Sequence, residues 1–374
     1  MKSYKKASSS DVAIIGAGII GLMLARQLHG LGLKVQLIEK NPQAAMEASQ
    51  AGGGIISPLH PWRYSKAMLD LADWSHEHFP VLVKDLGRRT GVYVPLLNTG
   101  MLVPDTEEAE AALSCDFLQA EVVTSQRVFE IEPGLAEPRE SVWVPAVNSV
   151  RNPALCRALT EDMRLSKIPV STSTAITEID HQADKFVIRS DFEQFEAQRV
   201  VIASGAWSEQ VYGLFGAELR SKLSALPEIF PVKGQMLAFK TRPGVLRSVI
   251  LNQHRYLIPR HDGVVLSGST TEHVGFDKQL TADAFDDLYQ FAVNTLPALS
   301  AYPVIAQWAG LRPGSHVDSP IISAVPQVPG LFLSAGHFRN GLLSSPASAQ
   351  LMADLITGAE SDFDIDLYSL RKTA

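Results

Sequence analysis

The sequence predicts a fold of class α/β plus α+β, with a Rossmann-like domain and a second domain built on an antiparallel sheet. The chain has 374 residues, enough for two domains at about 150 residues each. Near its start, an apolar strand leads through a glycine-rich turn into a helix and a second strand, the pattern of a parallel sheet. Residues 230–271 instead form short alternating runs separated by turns, which is typical of antiparallel strands.

Composition and charge narrow the class of protein. Hydrophobic residues make up 46% of the chain and charged residues 20%, as in ordinary globular proteins rather than disordered or fibrous ones. The chain has 33 basic and 40 acidic side chains, and its net charge of −7 provides no electrostatic footprint for nucleic acid. We therefore expect a small-molecule partner and no nucleic acid.

The cysteines and the first apolar run indicate in which compartment the protein is expected. Cys115 and Cys156 are too few for a disulfide framework, and no zinc-binding pattern accompanies them. Residues 1–10 are polar and basic, and the apolar run after them ends at Gly16, too early for a signal sequence or a membrane span. We expect a cytoplasmic protein with no integral membrane segment and no metal.

The N-terminal segment predicts a βαβ unit. Residues 12–15 form a short apolar run rich in β-branched side chains. A helical pattern of apolar residues follows and ends near Gly30 and Gly32, and residues 35–39 form a second apolar strand that ends in Glu39. The turn between the first strand and the helix has the spacing GxGxxG, formed by Gly16, Gly18 and Gly21.

The middle of the chain leaves this sheet and returns to it. Apolar residues at helical spacing over residues 65–86 predict a helix interrupted near Pro80. Asn152 and Pro153 are suited to be the N-cap and first residue of another helix. Further strands are predicted at 186–188 and 200–203.

The last third of the chain supplies the antiparallel strands and the closing helix. A helix over residues 281–296 has its apolar residues on one face. A final strand at 331–334 leads through a turn to a last helix that Ser345 and Pro346 cap and that Gly358 is positioned to end. The antiparallel strands are predicted at 235–239, 248–251, 256–259 and 264–268.

The glycine-rich turn predicts a dinucleotide site. Gly16 permits the tight turn, Gly18 lets a pyrophosphate approach the backbone, and Gly21 allows the helix to pack closely on the strand. The helix N-terminus adds free N–H groups. Glu39, at the end of the second strand, is placed to accept a hydrogen bond from a ribose hydroxyl and would repel a 2′-phosphate. These residues leave FAD and NAD open.

A second turn near the end of the chain bears on that choice. Residues 335–341 follow a strand and precede a helix, so a second set of N–H groups would converge on the cofactor. For a flavin, a helix N-terminus near the pyrimidine edge would stabilise the negative charge that develops on reduction. In isolation the same segment is equally compatible with an ordinary glycine-containing turn.

With these motifs in place, the sequence resembles the D-amino-acid-oxidase family of flavoproteins. Within that family it is similar to the bacterial glycine oxidases associated with thiamine biosynthesis. The resemblance covers nearly the whole chain. It lies, in chain order, in residues 12–21, 202–208, 231–235, 254–260, 308–314 and 336–341.

The resemblance implies a non-covalently bound FAD and an oxidase. Glycine, sarcosine or a small D-amino acid would be oxidatively deaminated, oxygen would take the electrons to give hydrogen peroxide, and the chain could form a homo-oligomer. Arg312 would bind the substrate carboxylate, with Tyr256 and Arg339 as further substrate contacts. The implied cofactor residues are Gly16, Gly18, Ile19, Ile20, Gly21, Glu39, Lys40, Ala48, Ser49, Gly53, Gly54, Ile55, Ile176, Gly205, His337, Phe338, Arg339, Asn340, Gly341, Leu342 and Leu343.

The pattern also suggests where the two domains divide. The first strands, the return to the sheet and the closing helix would form a discontinuous FAD-binding domain. The intervening segments would form the substrate-binding domain. The predicted boundaries are 1–85, 145–215 and 300–374 for the FAD-binding domain, and 86–144 and 216–299 for the substrate-binding domain.

Two alternatives remain: a different electron acceptor, and a chain that is not an enzyme on its own. Residues 52–64 depart from the glycine oxidase pattern, because the pairs at 57–58 (Ser-Pro) and 61–62 (Pro-Trp) are closer to D-amino-acid dehydrogenases. Such an enzyme passes its electrons to a quinone or another carrier. A flavoprotein subunit without amine chemistry of its own is the other alternative.

Structural roles compete with several of the assignments. Arg312 could tie a turn to the protein, Tyr256 could cover the core from a strand, and Arg339 could only shape the flavin loop. No histidine is assigned as a catalytic base, since a flavin can accept hydride from a neutral amine without one. The roles left open are those of Arg63, His60 and His254.

Overall fold

The structure is a computed structural model that describes residues 8–104, 106–182, 184–223 and 226–370. Its helices are α1 Ile19–Gly30, α2 Ala48–Ala51, α3 Lys66–Thr90, α4 Ala109–Leu113, α5 Ser125–Ile131, α6 Asn152–Leu165, α7 Ser208–Tyr212, α8 Ala217–Lys222, α9 Ala282–Thr295 and α10 Ser345–Thr357. Its strands are β1 Ser8–Ile15, β2 Val35–Ile38, β3 Ile55–Ile56, β4 Leu96–Asn98, β5 Met101–Val103, β6 Glu121–Val123, β7 Ser141–Val144, β8 Asn148–Val150, β9 Val170–Ser171, β10 Ile176–Gln182, β11 Lys185–Ser190, β12 Gln194–Ile202, β13 Phe230–Lys240, β14 Val249–Asn252, β15 Arg255–Pro259, β16 Val264–Gly268, β17 Val304–Gly314, β18 Ile321–Ala324 and β19 Leu331–Ala335.

The first sheet is built around β1, whose last four residues are buried. β1 pairs in parallel with β2 and with β12, β2 continues in parallel to β9, and β12 continues in parallel to β19. β10, β11 and β18 add antiparallel partners at the edges. Because β1 is central, the glycine-rich turn at its carboxyl end lies where ligands of such sheets bind.

Helices cover this sheet and enclose its core. α1 packs on α10 and α6, and α3 packs on α6 and α10. Leu22, Leu24 and Leu28 of α1 are fully buried, which explains why an apolar run at helical spacing forms this element. Within the described residues, no helix has both the length and the apolar character needed to cross a membrane.

Two helix predictions differ from the structure. α3 runs from Lys66 to Thr90 without the predicted interruption near Pro80. Burial of Phe79 and Val83 on either side of the proline outweighs the loss of one backbone hydrogen bond. α6 begins one residue earlier than expected, so Asn152 is its first residue rather than its cap, and the side-chain Nδ2 of Asn152 donates to the Ser49 carbonyl at 3.1 Å.

The second sheet has the strand order β17-β13-β16-β15-β14-β5-β7-β6. Its pairs are antiparallel apart from β14 with β5, which run parallel. Together with the mixed first sheet, it confirms the predicted fold class. β17 falls within the predicted segment 300–374, yet it pairs along its length with β13 and so belongs to the second sheet. The division of the chain into domains stays a prediction.

Candidate active site

One cavity of about 430 Å³ reaches from the carboxyl ends of the parallel strands to the second sheet. Most of the residues expected to bind cofactor or substrate line it, although they come from distant parts of the chain. They are Gly16, Gly18, Ile19, Ile20, Glu39, Lys40, Ala48, Ser49, Gly53, Gly54, Ile55, Ile176, Gly205, Tyr256, Arg312, His337, Phe338, Arg339, Asn340, Gly341 and Leu342.

Two expected residues lie outside the cavity lining. A Cβ at Gly21 would meet the Gly16 carbonyl oxygen at 2.1 Å, so this glycine lets the helix pack on the turn instead of facing the cavity. Leu343 is buried in the hydrophobic core that also contains α1. Gly16 itself has φ of +107°, a conformation that favours glycine, and the Ala203 carbonyl leaves no room for a Cβ.

Glu39 links the ends of the strands to the glycine-rich turn. One carboxylate oxygen accepts from the Ala17 N–H at 2.9 Å, and the other accepts from the Asn41 N–H at 2.9 Å. The side chain is buried but still borders the cavity. A carboxylate has about four acceptor positions, so two remain for the hydroxyls of a ribose.

Two residues beside the cavity have a buried polar atom that lacks a hydrogen-bond partner within the described chain. Ser49 Oγ accepts from the Ile19 N–H, the first of α1, at 2.9 Å. Asn152 Oδ1 and Ser334 Oγ are buried at the cavity wall and have no hydrogen-bond partner among the described residues. Buried polar atoms are normally satisfied. Because neither atom is exposed to the cavity, the fit of this end to a dinucleotide rests instead on the glycine-rich turn and Glu39, which line it.

Lys40 and Trp207 close the same end. The Lys40 Nζ lies 3.4 Å from the centroid of the Trp207 ring, within range of a cation–π interaction. Burial lowers the pKa of Lys40, and the nearby Glu47 and Glu39 carboxylates act in the opposite direction. Lys278, from the loop before α9, forms an ion pair with Glu47 at 2.9 Å and so joins that loop to the cofactor side.

Arg312 occupies the opposite end of the cavity, on β17. Its guanidinium donates to Ser269 Oγ at 2.7 Å and to the carbonyl oxygens of Thr270 and Lys233 at 3.3 and 3.4 Å. Among the described residues, no carboxylate forms an ion pair with it. Burial lowers the pKa of Arg312, and the neighbouring Tyr256 partly opposes this lowering. The group is a positive charge held in place and available to an anionic ligand.

Two glycines of the second sheet create the space around these side chains. A Cβ at Gly234 would lie 2.2 Å from Arg312 Nη2, and a Cβ at Gly268 would lie 2.9 Å from Tyr256 Cε2. Tyr256, Gly268 and Met236 are in register across β15, β16 and β13. The Tyr256 hydroxyl has Met236 Sδ at 3.9 Å as its hydrogen-bond acceptor within the described chain. Since a thioether is a weak acceptor, this hydroxyl is free to donate to a ligand.

Arg339 completes a group of three polar side chains at this end. Its Nη2 donates to Thr271 Oγ1 at 2.7 Å, and its guanidinium carbon lies 5.3 Å from the Phe338 ring centroid. Like Arg312, it forms no ion pair with a carboxylate in the described ranges. The structure therefore brings Tyr256, Arg312 and Arg339 to one cavity.

The loop after β16 is the part of the site that sequence reasoning missed. Ser269, Thr270 and Thr271 hold the two arginines. Glu272 anchors the loop through an ion pair at 2.9 Å with Lys233, which is 2% exposed. A lysine inside an apolar strand implies a carboxylate partner. The sequence contained that signal, but spacing could not identify which carboxylate.

Burial lowers the pKa of two histidines near the cavity. Burial lowers the pKa of His337 to about 3, and its Nε2 lies 3.2 Å from Ser348 Oγ. Burial, aided by the charge of Arg63, lowers the pKa of His60 to about 4. His254 is exposed. Arg63 forms an ion pair with Glu108 at 2.6 Å and is not among the residues that line the main cavity.

The fold and the cavity together define a class of protein. One cavity is lined by two sheets. The Rossmann-like sheet contributes a glycine-rich turn, and the second sheet contributes an arginine and a tyrosine, as in flavoenzymes with two domains. The chain belongs to the DAO family of FAD dependent oxidoreductases, whose description matches residues 11–355. This confirms the resemblance stated above, and the cofactor is FAD.

Individual relatives agree with this membership. The glycine oxidase of Pseudomonas aeruginosa is 38% identical over 367 residues, which cover 96% of this chain and 98% of that protein. The bifunctional protein ThiO/ThiG of a Synechocystis species is 29% identical over 93% of this chain and 52% of its own length. The crystal structure of glycine oxidase from Geobacillus kaustophilus has a TM-score of 0.90 at 28% identity, covering 98% of this chain and 100% of that one. The chain is a glycine-oxidase-like enzyme of the class acting on CH–NH2 donors.

Proposed function

We propose that the protein oxidatively deaminates glycine, sarcosine or a small D-amino acid and uses oxygen as its electron acceptor. The amino acid, water and O2 give an oxo acid, ammonia or an amine, and H2O2. FAD, when bound, supplies the two-electron acceptor for the α-C–H bond. The single observation that carries the proposal is Arg312, a guanidinium without a carboxylate partner in the described residues, in the same cavity as the dinucleotide turn.

The protein side chains bind and orient the substrate. The Arg312 fork can hold a carboxylate through two parallel N–H···O bonds, which fixes the direction of the Cα–H bond. The Tyr256 hydroxyl is free to donate to the same carboxylate. The loop residues Ser269 and Thr270 hold the guanidinium before the substrate arrives, so little side-chain entropy is lost on binding.

No side chain at this end is required to remove the amine proton. The cavity-lining carboxylates Glu39 and Glu47 lie at the nucleotide end, where they contact the strand termini and Lys278. His337 is buried and uncharged. We therefore propose that the amino group loses its proton to solvent and that the reacting form is the neutral amine. Activity should then rise with pH as the substrate amine deprotonates.

A role in thiamine biosynthesis is part of the proposal. It is supported by the similarity to the protein named ThiO/ThiG, in which the matching region makes up about half of the length. A cytoplasmic location and a homo-oligomeric state stay predictions.

Oxygen uptake and peroxide formation test this function. The purified protein is assayed in an oxygen electrode with glycine, sarcosine and D-alanine, and peroxide is measured in the same samples. We expect uptake with at least one substrate and one H2O2 per O2 consumed. Reduction of an artificial electron acceptor without oxygen uptake would instead establish the dehydrogenase that residues 57–62 suggested.

A further inference from the structure

A second pocket of about 210 Å³ opens beside the active-site cavity. We call it the vestibule. Leu59, Phe338 and Arg339 line both spaces and form the boundary between them. Arg63 and His60 line the vestibule but not the active-site cavity. A liquid water molecule occupies about 30 Å³, so the vestibule has room for a carboxylate together with one or two methylene groups.

The vestibule is positively charged. Arg63 Nε is held by Glu108 at 2.6 Å, and the same carboxylate oxygen accepts from Trp62 Nε1 at 2.6 Å. This ion pair orients Arg63 and offsets one positive charge. Within the described residues, Arg339 has no compensating carboxylate, because its hydrogen bond goes to the Thr271 hydroxyl. The pocket therefore carries about one net positive charge in its lining.

Arg339 lies at the junction of the two spaces. Its charge contributes to lowering the pKa of His60 on the vestibule side and the pKa of Arg312 on the cavity side, although burial is the main cause for both. A substrate with one carboxylate satisfies Arg312 and leaves Arg339 without an anionic partner. Arg312 and Arg339 therefore place two positive charges in the lining of one cavity.

We propose that the vestibule binds the second carboxylate of a dicarboxylic amino acid whose first carboxylate is bound by Arg312. This inference rests on the proposed function and names a further substrate class for the same site. Arg339 and Arg63 would be the recognition residues. The neutral His60 adds hydrogen-bonding capacity without adding charge.

The test compares substrates that differ in the second carboxylate. The pairs are iminodiacetate with N-ethylglycine and D-aspartate with D-asparagine, each assayed for kcat/KM with the FAD-bound protein. We expect the dicarboxylate to be favoured at least about tenfold in at least one pair, the effect of one charged hydrogen bond. Arg63→Met should remove most of this preference. Arg164→Met is the matched control, since Arg164 is an exposed, ion-paired arginine of α6 outside both pockets.

A binding measurement separates this inference from the proposed function. Succinate and butyrate differ in the second carboxylate and cannot be deaminated, so perturbation of the flavin absorbance reports their affinities without turnover. Succinate should bind about tenfold more tightly, and Arg63→Met should equalise the two. Turnover of glycine or sarcosine with no dicarboxylate preference in either substrate pair overturns the inference and leaves the function intact. A succinate preference without any amine oxidation supports the vestibule and overturns the function.

Discussion

Removal of Arg312 should weaken substrate binding by about two orders of magnitude. In Arg312→Ala the substrate carboxylate loses a charge-assisted pair in a buried site where Ser269 already holds the guanidinium. Such a pair contributes up to about 3 kcal/mol. At about 1.4 kcal/mol per factor of ten, this corresponds to roughly a hundredfold increase in KM for glycine or sarcosine. In the proposed role the guanidinium binds the substrate both before and during the reaction, so kcat should fall less than KM rises.

The assay is steady-state peroxide formation on protein with a measured flavin content. Arg312→Lys keeps the charge but loses the two-pronged geometry, so its KM should lie between those of the wild type and the alanine variant. Arg164→Ala, which removes an exposed ion pair with Glu161, is the control for loss of an arginine elsewhere. A KM for Arg312→Ala within about threefold of the wild-type value, at equal flavin content, would refute the carboxylate assignment.

Three further results are expected. Gly234→Ala should raise KM about as much as loss of Arg312 does, because a Cβ at this position would lie 2.2 Å from Arg312 Nη2. Steady-state kinetics measure the effect, and Gly30→Ala is the control, since a Cβ at Gly30 meets nothing within 4 Å. Glu39→Gln should weaken FAD binding at least about tenfold, because it removes the negative charge of the side chain that accepts two backbone hydrogen bonds. The fluorescence of flavin released on dilution measures the change in affinity. Burial lowers the pKa of His337 to about 3 from an ordinary 6.5, so the unfolded chain binds more protons between these values. The free energy of unfolding should therefore fall as the pH drops from 6.5 towards 3, and His337→Gln should show a shallower fall in urea denaturation.

Elements whose signals are local could be predicted from the sequence. The strand β16 has the predicted bounds, and α10 ends at Thr357, directly before Gly358, which has φ of +72° as the predicted stop requires. The glycine-rich turn and Glu39 were predicted from spacing, because a βαβ unit places them together within about thirty residues. These features depend on the secondary-structure propensities of the residues and on contacts between residues close together in the sequence.

The rest depends on contacts between distant segments. The uninterrupted α3 follows from burial around Pro80, which periodicity does not report. The pairing of Lys233 with Glu272, and the loop that holds Arg312, follow from sheet register and from the path of a loop across a strand. Side chains separated by many residues in sequence meet there, and no local pattern specifies which ones.

The most direct measurement is the visible absorbance of the purified protein under anaerobic conditions. Spectra are recorded before and after addition of glycine, sarcosine or D-alanine, and again after air is readmitted. The account predicts a flavin band that at least one of these amino acids bleaches and that air rapidly restores. A bound flavin that none of them bleaches would contradict the assignment of this site to small amino acids, and a bleached flavin that air restores only slowly would contradict oxygen as the acceptor.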